Sequence, residues 1–185
     1  VFLGSLHDAA IRALLWYFSM ALVSAWGFRL YRRFSFDSMS HQQLEQWYSA
    51  VSYFYYIIFS LWTVIFLLFI PLVDKDLHYI AIFTQIGASV VASSLLFGDR
   101  RLYRPIIYIL MVPLIVFFSL IGSWYGYVLT IFGGVFAWVL LYAASSSNQL
   151  LHKTNYQASH DQLTGLFNRN YFVEVVQQVV NSLKS

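Results

Sequence analysis

Apolar residues run along this chain in blocks too long for the core of a soluble domain. A membrane-crossing helix needs about 20 mainly apolar residues, and five stretches answer to that description: Ile11–Leu30, Val51–Val73, Leu77–Phe97, Ile106–Ile121 and Tyr125–Ala144. The pattern predicts an all-α polytopic membrane protein in which residues 1–144 form a transmembrane domain. The fourth span is the shortest. Pro105 suits a first helical position, where a missing N–H leaves nothing unbonded, and Pro113 falls mid-span, where it should kink the helix. The gap from Tyr31 to Ala50 is longer than a turn, and Ser40-His41-Gln42-Gln43 resembles a capping box opening a helix that continues as span two. The remaining gaps read as tight hairpins. Tyr53, Tyr55 and Tyr56, and likewise Trp124, Tyr125 and Tyr127, sit where interfacial aromatic belts lie.

Composition strengthens this reading. The 185 residues are 59% hydrophobic, 20% aromatic and only 10% charged, against about 25% charged in soluble domains, and mean hydropathy is +0.64. So few charges cannot clothe a water-soluble surface. A net charge of +3 comes from basic residues scattered between apolar runs, without the patch that nucleic acid would require. Arg29, Arg32, Arg33, Arg100, Arg101, Arg104 and Lys153 fall in one set of gaps, and the opposite set offers Lys75 and, just inside span one, Arg12. Positive residues stay in the cytoplasm, so residue 1 is expected outside and the C-terminus inside. With five spans and Val1 at the start, an upstream segment is expected, an additional helix being the simpler form. With no cysteine, disulfides, thiolate metal sites and cysteine nucleophiles are excluded.

Polar chemistry inside the spans is sparse. Gln85, Ser89 and Ser93 recur every four residues in span three, with Ala81, Ala88 and Ala92 beside them. Helix packing through small and hydroxyl-bearing residues explains them most simply; the sharper alternative makes Gln85 the floor of a ligand site. Gly126, Thr130 and Gly134 form a small-residue seam on span five, suited to packing within the chain or between two copies. Asp8 and Arg12, one turn apart near the outer end of span one, read as a local ion pair rather than a transport site. The five histidines show no metal-ligand spacing, and a site shared by His7 and His78 at the outer face is the less economical reading. No metal is predicted.

After Ala144 the character changes to Ser145-Ser146-Ser147-Asn148-Gln149. Residues 145–160 read as a cytoplasmic linker, about 24 Å long if helical. Then comes Asp161-Gln162-Leu163-Thr164-Gly165-Leu166-Phe167-Asn168-Arg169. Gly165 permits a turn, Asn168 can cap a helix, and Phe172, Val175, Val176, Val179 and Leu183 form an apolar helical face. Glu174, Gln177, Gln178 and Asn181 interrupt it, so this is the opening of a soluble domain.

The pattern Asp-x-Leu-Thr-Gly-Leu-x-Asn-Arg resembles the entry motif of GGDEF domains, the diguanylate cyclases that condense two GTP into cyclic di-GMP. Asp161, Leu163, Thr164, Gly165, Leu166, Asn168 and Arg169 carry the resemblance, and Asn170 departs from the Arg often found there. The arrangement of hydrophobic helices, linker and motif is similar to cyclases with MASE-type sensor regions. The resemblance implies a bacterial inner-membrane homodimer, an α/β GGDEF domain beginning in residues 161–185, and Mg2+ and GTP bound by residues that family members carry beyond this motif. No catalytic residue is assigned within residues 1–185. Asp161, Thr164, Asn168 and Arg169 would form the joint between linker and catalytic domain, through side-chain to backbone bonds and an Asp–Arg pair. The span region would respond to an unknown sensory ligand. Alternatives are a non-catalytic cyclic di-GMP receptor, a bifunctional GGDEF/phosphodiesterase regulator, and, less economically, a transporter.

Overall fold

The computed structural model describes residues 2–34, 40–69, 75–161, 164 and 166–182. Six helices account for its regular structure: α1 (Phe2–Arg33), α2 (His41–Phe69), α3 (Lys75–Leu95), α4 (Arg100–Leu120), α5 (Trp124–Ser159) and α6 (Arg169–Ser182). The first five are each long and apolar enough to cross a membrane. They alternate in direction, so that Arg32, Arg33, Arg100 and Arg101 gather at one end of the bundle, called here the arginine-rich end.

The helix starts follow local chemistry. Ser40 donates its backbone N–H to Gln43 Oε1 (2.9 Å) and accepts the Gln43 N–H at its Oγ (3.4 Å), a reciprocal capping box. This opens α2 ten residues before the apolar run. Asp99 caps α4 by accepting the Arg101 N–H at 2.8 Å. Pro105 is therefore the sixth residue of α4 and not its first. The helix nevertheless runs unbroken through both prolines. Between α4 and α5 the chain reverses in three residues. Gly122 adopts φ +68°, a left-handed conformation that glycine takes without steric cost, and Ser123 caps α5.

Helix α4 is the central element. It packs against α2, α3 and α5, whereas α1 lies mainly against α2. Leu102, Tyr103, Ile106, Ile107, Leu110, Met111, Leu114 and Phe118 of α4 are buried, and their three-and-four spacing turns one broad face to its neighbours. Small residues opposite, Ala81, Ala88 and Ala92 of α3 and Gly133, Ala137 and Ala144 of α5, are buried too, which lets the backbones approach. Polarity is inverted relative to a soluble protein. Thr63, Gln85, Ser89 and Ser93 are inside, while Leu14, Leu15, Phe18, Phe132 and Trp138 are each more than 60% exposed. An apolar exterior of this kind suits lipid as its solvent.

Two indoles and one guanidinium join α1 to α2. Trp47 Nε1 donates to Leu30 O (2.9 Å), Trp16 Nε1 to Leu61 O (2.7 Å) and Arg12 Nη1 to Leu68 O (3.1 Å). Leu30 and Leu68 lie in the last turns of their helices, where carbonyls lack an intrahelical donor. Arg12 thus completes the end of α2. The side chain of Asp8, its expected ion partner, lies outside the described residues.

Candidate functional site

A proline within a helix removes one N–H and orphans the carbonyl four residues earlier. In α4 these carbonyls belong to Arg101, freed by Pro105, and Ile109, freed by Pro113. Both are recovered by hydroxyls of α2. Tyr56 OH donates to Arg101 O at 2.7 Å, and Thr63 Oγ1 to Ile109 O at 3.1 Å. Tyr56 and Thr63 are seven residues apart on one face of α2, a spacing that matches the eight residues between the two carbonyls because α2 and α4 run parallel.

Gln85 extends the second of these bonds into a cluster. Its Nε2 donates to Leu110 O at 2.8 Å and to Thr63 Oγ1 at 3.1 Å. Because a carbonyl only accepts, the amide nitrogen and not its oxygen must face Leu110. Gln85 is fully buried, and its Oε1 has no hydrogen-bond partner. Ser89 and Ser93 share this buried face but turn their hydroxyls back on their own helix, to Ile86 O (2.7 Å) and Val90 O (2.9 Å). The three residues predicted as one face are thus together in space, and Gln85 reaches across to α2 and α4. Beside the cluster, between α2 and α4, a groove of about 520 Å³ is lined by Ser60, Thr63, Tyr108, Ile109, Val112 and Pro113.

On α5 the buried seam runs through Gly126, Gly133 and Ala137, with Thr130 half-buried and donating to Gly126 O at 2.9 Å. A Cβ on Gly126 would meet Phe118 O at 2.8 Å, and one on Gly133 would meet Ile115 Cγ1 at 3.1 Å, whereas one on Gly134 would meet nothing within 4 Å. Gly134 faces outward.

At the arginine-rich end the four-residue turn between α3 and α4 is tied to two other helices. Asn148 Nδ2 donates to Phe97 O (2.8 Å) and Gly98 O (3.0 Å), and Tyr48 of α2 donates its hydroxyl to Asp99 Oδ2. Asp99 therefore both caps α4 and anchors α2. Asp99→Ala is expected to lower bundle stability by about 1–2 kcal/mol, while Asp99→Asn, which can still cap, costs less than half of that. Reversible unfolding in mixed micelles measures both.

Residues 145–159 are helix. α5 continues past Ala144 without a break to Ser159, and residues 149–158 are exposed. Its end is held by the motif that follows. Asn168 Nδ2 donates to Ala158 O (2.6 Å) and its backbone N–H to Ser159 O (2.9 Å), while its Oδ1 accepts the Tyr171 N–H (2.9 Å) and caps α6. Asp161 Oδ1 accepts from both the N–H (2.9 Å) and the hydroxyl (3.0 Å) of Thr164, and Asp161 N–H donates to Leu166 O at 2.7 Å. His160 and Phe167 form an isolated antiparallel bridge. Their rings lie between Tyr156, stacked on His160 at 4.1 Å, and Tyr171, 5.0 Å from Phe167. Leu163, Gly165 and the side chain of Arg169 lie outside the described residues, as does the expected Asp–Arg pair. So does the side chain of His7, and among the described residues no three acidic or histidine side chains group as a metal site would require.

These features define a class: a bundle of five helices long and apolar enough to cross a membrane, whose last helix extends through a capped turn into a sixth. No protein family, curated protein or solved structure matches this chain.

Proposed function

We propose that this chain is the membrane-embedded sensory and linker region of a diguanylate cyclase in the bacterial inner membrane, with its arginine-rich end and C-terminus in the cytoplasm. On this reading residues 1–144 are the sensor, 145–160 the signalling linker, and 161–185 the start of an α/β GGDEF domain that binds Mg2+ and GTP through residues further along and works as a homodimer. The observation that carries the reading is the sequence from Asp161 to Arg169, placed at the end of one uninterrupted helix rising from the bundle. Asp161, Thr164 and Asn168 supply local bonds that make a stiff joint. A displacement of α5 against α4 then reaches Ser159 as a rigid-body movement, over about 54 Å for the 36-residue helix.

Formation of cyclic di-GMP from GTP by the full-length protein tests the reaction. Binding of cyclic di-GMP without synthesis would replace the enzyme by a receptor. Transmission is tested by insertions after Ser146. Two residues turn the joint by about 200° and are expected to change activity at least tenfold, while seven residues, close to two full turns, restore it. Activity indifferent to helical phase would sink the rigid-helix mechanism.

A further inference from the structure

Near the end of α1, Arg32 carries a guanidinium that no protein group uses up. It is the last residue of the apolar span Ala10–Arg32, which sets it at the level of lipid headgroups. Its guanidinium carbon lies over the Phe28 ring, 5.7 Å from the centroid, a contact that holds the cation in place without spending its N–H donors on an acceptor. Arg29 and Arg33 lie within one turn of it, and none of the three pairs with a carboxylate among the described residues. Arg12, near the opposite end of the same helix, is by contrast engaged by Leu68 O. Three positive charges therefore gather within five residues where α1 leaves the bundle.

The ring that carries Arg32 also lines a groove of about 440 Å³ between α1 and α2. Ser24, Phe28 and Tyr31 border it from α1, and Trp47, Val51 and Phe54 from α2; none of its lining residues is charged. Phe28 and Tyr31 are 60% and 75% exposed, so the groove opens on the outer surface of the bundle, toward lipid. From Arg32 to Ser24 is eight residues, about 12 Å along α1, directed away from the arginine-rich end. A cationic head at the interface with an uncharged, aromatic trough running inward from it has the layout of a membrane lipid, phosphate outermost and acyl chain within.

We infer that this groove binds a phospholipid of net negative charge, its phosphodiester on Arg32 and one acyl chain along the trough between α1 and α2. A guanidinium forks onto two phosphate oxygens at once, and basic pockets between membrane helices hold anionic headgroups in this way. A free anion would meet the guanidinium but leave the groove empty, and an uncharged lipid would fill the groove but leave the guanidinium unused. A zwitterionic lipid brings an ammonium group that Arg29 and Arg33 repel. The bound lipid bridges α1 and α2 beside the bond from Trp47 Nε1 to Leu30 O. This inference goes beyond the cyclase reading and needs only that the helices cross a bilayer.

The test uses full-length protein in phosphatidylcholine nanodiscs, photolabelled with a trace of phosphatidylglycerol bearing a diazirine on its acyl chain and, separately, with the matching phosphatidylcholine. Adducts are mapped by peptide mass spectrometry. Phosphatidylglycerol is expected to label segments 24–31 and 47–55 about fivefold more than phosphatidylcholine, the factor that about 1 kcal/mol for one arginine near the bilayer surface produces. Arg32→Gln should bring the two probes level. Arg100→Gln, an equal loss of charge at the same end but outside the groove lining, should leave the preference unchanged. Ser24→Trp, at the exposed inner end of the groove, should block both lipids while leaving the melting temperature unchanged. Equal labelling by the two lipids in the unaltered protein, equal loss of preference in Arg32→Gln and Arg100→Gln, or full labelling of folded Ser24→Trp would overturn the inference. So would labelling by neither lipid, the result expected if a second copy of the chain covers the groove. Labelling reads binding alone, so its outcome is independent of whether the protein makes cyclic di-GMP.

Discussion

Replacing Gly126 by valine is expected to cost about 3 kcal/mol of bundle stability, whereas the same substitution at Gly134 changes it by less than about 0.5 kcal/mol. The two glycines lie on one helix eight residues apart, and they differ in what they face. A Cβ at Gly126 would sit 2.8 Å from the Phe118 carbonyl oxygen and 3.0 Å from Ile121 Cβ. The first obstacle is backbone, held by the α4 hydrogen bonds, and cannot swing aside as a side-chain tip would. α5 would have to move away from α4 and lose contact along the buried seam that continues to Gly133, Ala137, Leu140 and Ala144. At Gly134 there is open space, and valine gains a few tenths of a kcal/mol in helix propensity. Reversible unfolding in mixed detergent micelles measures both changes. Equal costs would show that α5 does not meet α4 through this face.

The second large effect concerns the proline-freed carbonyl. Thr63→Val is isosteric but removes the donor to Ile109 O and the acceptor for Gln85 Nε2, and is expected to cost about 2 kcal/mol. Alanine at position 113 would restore a backbone N–H able to bond Ile109 O within α4. In a Pro113→Ala background the cost of Thr63→Val should therefore fall by about 1 kcal/mol, a coupling that a double-mutant cycle isolates. Additive costs would mean that the Ile109 carbonyl does not depend on Thr63.

This dependence explains how α4 carries two prolines without breaking. The distances from Tyr56 to Arg101 and from Thr63 to Ile109 are ordinary hydrogen bonds, so each proline exchanges an intrahelical bond for one between helices. From sequence, Tyr56 reads as part of an aromatic belt and Thr63 has no distinguishing mark. The signal present was the pair of carbonyls that prolines at 105 and 113 must orphan. Which helix would answer them depends on neighbours in space.

Local chemistry was legible from the residues alone. The Ser40–Gln43 box, the cap at Asn168 and the helical continuation beyond Ala144 all rest on interactions within a few positions along the chain. The first helical position suits Pro105 only if α4 begins at the apolar run, and the cap at Asp99 moves that start upstream. The apolar run begins only at Ile106, yet the helix opens six residues sooner, its freed carbonyl recovered by Tyr56.

The sequence by itself determined that five segments are long and apolar enough to cross a membrane, where their polar breaks fall, and that a capped turn follows the last helix. Those properties depend on composition and on contacts no more than about four residues apart. Tertiary structure alone decided that α4 is central, that Gly133 and not Gly134 faces α4, and that Thr63, Gln85 and Ile109 meet. One residue step turns a side chain by about 100° around a helix, so the choice between adjacent glycines requires the partner's position. Gln85 and Leu110 are 25 residues apart and Thr63 and Ile109 are 46 apart; only packing brings such groups together.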